Sequence, residues 1–158
     1  MPVYVFDSGP LIDLFEHYYP GRFPTLWSSF EALVKSGKIV SVREVLKEIE
    51  SHYREDRLKA WGQGNQHLFT EPTPDEIDLV NDIFAIPHFR QMVAKKKILK
   101  GGFVADPFVI ARAWANGGCV VSTEHKKDSA ARIPNVCEHF GVDCTDLEGF
   151  MGRESWSF

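Results

Sequence analysis

Cysteine is scarce: Cys119, Cys137 and Cys144 are the only three among 158 residues. No two stand in a CxxC spacing, and an odd number cannot pair completely, so a disulfide framework is not expected and a reduced, cytoplasmic setting is. Cys137 and His139 lack two further ligands for a tetrahedral zinc site and read as residues of a late helix. Long apolar runs are missing too. None approaches the roughly 20 residues that cross a bilayer, and Asp7 follows an N-terminus with no basic stretch, so no signal peptide and no membrane association are expected. Positive charge is in slight deficit, with 18 Lys and Arg against 22 Asp and Glu and a net charge of -4. That balance excludes indiscriminate coating of nucleic acid and leaves room for a local basic site.

Aromatic residues, by contrast, are plentiful: 12 Phe, four Trp and four Tyr within a 44% hydrophobic composition. This content supplies a real core for one domain spanning 1–158. The core is expected over about residues 3–150, with 152–158 as an irregular tail. No internal repeat, low-complexity tract or linker interrupts it.

Short apolar runs alternate with helical periodicity along the chain. Val3-Tyr4-Val5-Phe6 reads as a central strand buried on both faces. Leu11, Ile12, Leu14, Phe15 and Tyr18 follow at helical spacing, as do Leu26, Trp27, Phe30, Leu33 and Val34. Lys38-Ile39-Val40 reads as a second strand, with Ser41 as N-cap of a helix over 42–52. His67-Leu68-Phe69 reads as another short strand. Thr73-Pro74-Asp75-Glu76 has the pattern of a capping box. A helix near Phe89–Lys97, one carrying Asp106 to Trp114, a strand at 119–122 and a closing helix at 146–151 complete the reading. Trp27 and Trp114 both fall on apolar helix faces and are expected in the core. The alternation predicts an α/β fold: three α/β/α layers around a mainly parallel sheet of about four to five strands.

Four carboxylates stand at the ends of predicted elements: Asp7, Glu48, Asp106 and Glu124. In parallel α/β folds such ends converge on one edge of the sheet, where ligands bind. Carboxylates gathered there favour a hard divalent cation with oxygen ligands, Mg2+ or Mn2+. Each has an ordinary alternative: a helix cap for Asp7, a favourable dipole position for Asp106, a solvated helix face for Glu44 and Glu48, a loop charge for Glu124. Glu44 competes with Glu48 on the same helix face, and Asp128 is a weaker substitute for Glu124.

The segments Val5-Phe6-Asp7-Ser8-Gly9-Pro10, Val45-Leu46-Lys47-Glu48-Ile49, Ala105-Asp106-Pro107-Phe108 and Val120-Val121-Ser122-Thr123-Glu124 resemble, in order, the acid-bearing segments of the PIN domains. These are metal-dependent nucleases that include VapC-type toxins. The resemblance covers about residues 3–150 and extends, through Phe23-Pro24-Thr25-Leu26-Trp27 and Arg132-Ile133-Pro134-Asn135, to a compact subgroup of poorly defined function. It favours Glu48 over Glu44 as the second acid. It departs at Glu124, where the family often carries the shorter Asp.

What the resemblance implies is a PIN-like fold and a metal-dependent endoribonuclease. Asp7, Glu48, Asp106 and Glu124 would bind Mg2+ or Mn2+ and act in catalysis. Ser8 would support Asp7, and Ser122 or Thr123 would support Glu124, unless these hydroxyls serve only as turn or cap residues. An RNA substrate, an antitoxin partner and a homodimer follow as expectations. Arg43, Lys126, Lys127 and Arg132 would contact phosphate, as would a second basic cluster at Lys95-Lys96-Lys97 and Lys100. Two other readings compete. A haloacid-dehalogenase-like phosphatase needs a second Asp two positions after Asp7, where this chain has Gly9. A catalytically silent PIN scaffold that binds RNA or protein would not need four carboxylates.

Overall fold

Tyr4–Phe6 forms β1, buried along its whole length. In the computed structural model, which describes residues 3–52, 56–93 and 104–158, this strand is the centre of the sheet. β2 (Ile39–Val42), β3 (Phe69–Thr70), β4 (Cys119–Val121) and β5 (Asp143–Thr145) complete it in the order β3-β2-β1-β4-β5. Every pairing is parallel, with Val5 opposite Val40 on one side and Val120 on the other. The continuous burial of β1 and β4 follows from this topology. Parallel strands covered on both faces have no solvent side, so their sequences are apolar without alternation.

Helices connect the strands. α1 (Ser8–His17) and α2 (Pro24–Lys35) link β1 to β2. α3 (Arg43–His52) and α4 (Asp56–Gly64) precede β3. α5 (Pro74–Ala85) and α6 (Asp106–Asn116) lead to β4. α7 (Ile133–Phe140) and α8 (Leu147–Arg153) flank β5. The result is the expected α/β fold with a five-stranded sheet flanked by helices. Phe6, Phe30, Leu14, Leu26, Ile110 and Phe150 are fully buried at its centre. Phe6 meets Phe30 and Phe150 edge-on.

Several local readings need correction. Ser41 lies inside β2 and its hydroxyl donates to the Phe6 carbonyl at 2.6 Å, so it ties two strands together and does not cap α3. Residues 66–68 form a 3-10 turn, which leaves only Phe69–Thr70 as strand. α8 runs to Arg153, and beyond it Trp156 packs edge-on against Phe150, so the tail is tied down further than expected. Trp27 is packed against Phe15 and Phe30, but Trp114 is 46% exposed. It occupies the last turn of α6 beside exposed Ala115 and Asn116. The Thr73 capping box forms as read. Lys95, Lys96, Lys97 and Lys100 lie outside the described residues.

Candidate active site

The strand order reverses direction between β1 and β4: the chain goes one way from β1 to β2 and β3, and the other way to β4 and β5. Such a switch point opens a crevice at the carboxyl ends of the strands. Asp7 is the first residue beyond β1, and its N–H continues the ladder by donating to Val121 O at 3.0 Å. Ser122, Thr123 and Glu124 leave β4 directly opposite. Gly9 shows how close the two exits run: a Cβ there would lie 2.5 Å from Thr123 Oγ1. That contact explains the glycine without invoking a special backbone angle.

Asp7 is the N-cap residue of α1 by position, yet its side chain makes no capping hydrogen bond. It is 6% exposed. The next residue, Ser8, donates its hydroxyl to Glu48 Oε2 at 2.9 Å. The other oxygen of Glu48 accepts the N–H of Ala105 at 2.9 Å. Glu48 thus connects the residue after Asp7 to the residue before Asp106. Asp106 opens α6 and is fully buried, where the helix N-terminus favours a negative charge. Three acids separated by 41 and 58 positions in sequence therefore reach one crevice.

This connection also separates Glu48 from Glu44. Both are buried on the same face of α3, but Glu44 binds Arg43 through Oε1. Its Oε2 is buried with no hydrogen-bond partner. Arg43 is braced on its other side by Glu71, 3.5 Å away.

Glu124 is placed differently. It is half-buried in the loop after β4. Its N–H donates to Ser122 Oγ, and its Oε2 accepts the N–H of Ile133 at 2.8 Å, at the start of α7. The hydrogen bond with Cys137 lowers the Cys144 thiol pKa, against the opposing effects of burial and of the charges on Asp143, Glu124 and Asp7. Ser122 is fully buried and braces the loop backbone, whereas Thr123 is exposed. Of the basic residues, Lys126 is paired with Glu138 at 2.6 Å, which raises its pKa. Lys127 and Arg132 are exposed on the same loop.

Among the described residues, no three of the four expected acids bring ligand atoms within 4.8 Å of one another; Asp13, Glu16 and His17 on the outer face of α1 do. That trio is one helical turn of neighbouring side chains, half-exposed or exposed. The crevice still fits Mg2+ by chemistry. Its donors are all carboxylate oxygens, and three of the acids are more than nine-tenths buried. Mg2+ usually keeps several waters and takes one or two carboxylates directly, so a tight protein cage is not required.

Sequence reasoning missed the Ala105 N–H, the Glu71 brace and the Ile133 N–H. All three are contacts of backbone or distant side chains, and no local pattern signals them. It also read Glu76 only as part of a capping box. Glu76 in addition pairs with Arg112 at 2.9 Å beneath α5 and α6.

Nearly the whole chain has a family match. The family described as a domain of unknown function, DUF4411, matches residues 4–158. No curated protein matches. Among solved structures, DNA-bound VapBC from Salmonella typhimurium aligns over 92% of this chain and 98% of that chain, with 16% identity and a TM-score of 0.52. VapBC2 from Rickettsia felis, bound to a DNA fragment from its promoter, covers the same shares at 14% identity and a TM-score of 0.49. At 16% identity the first likeness speaks to fold. Among the described residues no helix is long and apolar enough to cross a membrane. The chain belongs to the DUF4411 family, and its fold is PIN-like, similar to that in the DNA-bound VapBC structure.

Proposed function

We propose that this protein is a divalent-metal-dependent endoribonuclease and the toxin of a toxin–antitoxin pair, with a homodimer as its working state in the cytoplasm. The observation that carries the enzymatic reading is the position of Glu48, held between the neighbours of Asp7 and Asp106 at the switch point of the sheet. Two neutral donors fix the position of this carboxylate. Asp7, Glu48 and Asp106 would hold Mg2+ or Mn2+, with Glu124 at the rim of the crevice. Bound there, the ion supplies Lewis-acid polarisation of a phosphodiester and offsets charge developing in the transition state.

The chain's own residues do the rest. Ser8 and the Ala105 amide keep Glu48 from swinging away from its neighbours. Arg43, braced by Glu44 and Glu71, presents a pre-oriented guanidinium to phosphate. Lys127 and Arg132 add positive charge beyond Glu124, where a single strand would run, with Lys126 turned toward Glu138. The toxin reading draws support from the shared fold with the VapBC structure, and an antitoxin would occupy or cover the same crevice.

The test is cleavage of mixed cellular RNA by pure protein with Mg2+, Mn2+ or EDTA, beside Asp7→Asn and Asp106→Asn. Metal-dependent cuts that vanish in both variants are expected. Cuts that persist in both, or no cuts under any condition, would sink the nuclease reading and move weight to a silent scaffold.

A further inference from the structure

We infer that Glu124 is a positioning residue that latches the basic loop 125–132 for a phosphate backbone, and that it is not a ligand of the metal. This rests on the nuclease reading above and assigns a different task to one of its four acids.

The loop spans the gap between β4 and α7. Across its two ends, the Ile133 N–H donates to Glu124 Oε2 at 2.8 Å. Ile133 is fully buried and opens α7, so its N–H is one of the helix-terminal donors that must find an acceptor. The N-cap residue, Arg132, provides no side-chain acceptor. Glu124 supplies it from nine positions away. An aspartate, one methylene shorter, would not span the same distance without moving the loop. The reach of a glutamate side chain accounts for this bond.

The interior of the loop is built to match. Asn135 accepts the Lys127 N–H at 3.4 Å and donates to the Lys127 carbonyl at 2.7 Å, clamping that backbone from both sides. Ala130 N–H turns back to the same carbonyl, and Ser129 takes a left-handed φ of 60°. Arg132 Nη1 donates to the His125 carbonyl at 3.3 Å. A loop whose ends meet and whose backbone bonds to itself is ordered before a ligand arrives. Ordering in advance lowers the entropy cost of binding. Its exposed cations, Lys127 and Arg132, face the solvent beside the crevice. The fitting ligand is the sugar-phosphate backbone of a single strand.

Glu124→Gln and Glu124→Asp separate the two roles. Glutamine keeps an oxygen for Ile133 and removes the charge a metal needs; aspartate keeps the charge and shortens the reach. Three readouts are required: Mn2+ affinity by calorimetry, amide exchange over 125–133, and KM against kcat on single-stranded RNA. We expect Glu124→Gln to keep Mn2+ affinity and the exchange rate of Ile133 within about threefold of the parent, because its acceptor remains. Glu124→Asp should speed exchange across the loop by about tenfold, as loss of a helix-end acceptor does, and most of its kinetic loss should fall in KM. Asp106→Asn should weaken Mn2+ and leave loop exchange alone. A fall in Mn2+ affinity in Glu124→Gln comparable to that in Asp106→Asn would overturn the inference, as would unchanged loop exchange in Glu124→Asp. If the parent binds Mn2+ but cuts no RNA, the nuclease reading fails, and exchange and affinity still decide the latch.

Discussion

Two buried carboxylates in this molecule, Glu48 and Glu76, are held in opposite ways. Glu76 lies under α5 and is 2% exposed. One of its oxygens meets Arg112 Nε at 2.9 Å, and the other takes the Thr73 hydroxyl at 2.8 Å. Arg112 donates further to Thr70 and to the carbonyls of Ser41 and Glu71. The negative charge is matched by an arginine from the same chain, at a place where α5, α6 and β3 must be joined. Glu48, 4% exposed, takes a hydroxyl and a backbone amide. Those neutral donors set its position beside two other acids. Burial of an ion is costly in both places. At Glu76 the cost is met by a structural pair. At Glu48 a hydroxyl and a backbone amide hold the carboxylate in a crevice where strand ends converge.

The comparison is broken most severely at its functional arm. Asp106→Asn should lower RNA cleavage by about a thousandfold, the scale on which removal of one transition-state contact acts. It should cost less folding free energy than disruption of the Arg112 pair. Titration with Mn2+ sharpens the contrast. The melting temperature of the parent should rise with added ion, as it does whenever a ligand binds only the folded state. That of Asp106→Asn should rise far less. A variant that is inactive because it is unfolded would refute the division between the two arms.

At the structural arm the order reverses. Arg112→Met leaves Glu76 buried without its cation and should cost about 3–5 kcal/mol by chemical denaturation. Pairing it with Glu76→Leu should recover much of that loss, since an apolar pair of similar volume tolerates burial. Residual RNA cleavage per folded molecule should stay near the parent in both. If the double variant were no more stable than the single, the pair would be contributing through Thr70 and the carbonyls rather than through charge.

The two arms were not equally legible in the sequence. Asp7 and Glu124 stand at the ends of apolar strands, and Asp106 stands before a proline at a helix start; local pattern was enough to single them out. Glu48 was favoured over Glu44 by its resemblance to the PIN pattern, but its contacts with Ser8, 40 positions away, and with the Ala105 amide, 57 positions away, could not be read from the sequence. Those depend on tertiary structure. The same limit hid the partner of Glu76, since Arg112 lies 36 positions on and reads as one more helix cation. Ser41 was misread because a hydroxyl before a helix signals a cap, and only the neighbouring strand reveals its true acceptor. The five-stranded sheet was more accessible, because buried parallel strands announce themselves as short apolar runs.

A milder change probes how Glu48 is held. Ser8→Ala removes the hydroxyl that donates to Oε2 and adds no bulk. Loss of such an outer contact should weaken Mn2+ affinity or cleavage by about ten- to a hundredfold. Ser8→Thr should restore part of it if the added methyl is accommodated. Equal loss in both would show that the space around Ser8, and not its hydrogen bond, matters.

The smallest effect comes from an ion pair outside both arms, which serves as their exposed control. Arg153 grips Asp143 with two nitrogens, at 2.5 and 3.1 Å, on the edge strand β5. The side chains are 41% and 54% exposed. The hydrogen bond from Arg153 holds the Asp143 carboxyl below its ordinary value. A depressed carboxylate stabilises the fold above its unfolded pKa, about 3.9, and loses that contribution as pH falls through the lower folded value. Asp143→Asn should therefore cost about 0.5 kcal/mol near neutral pH, typical of a solvent-screened pair. The difference from the parent should close as the solution is acidified below that range. Added salt should shrink it as well, because screening acts on exposed charges. The deficit of Arg112→Met should barely respond to salt. If both deficits shrank alike, Arg112 would be reached by solvent, and the contrast between Glu76 and Glu48 would lose its structural half.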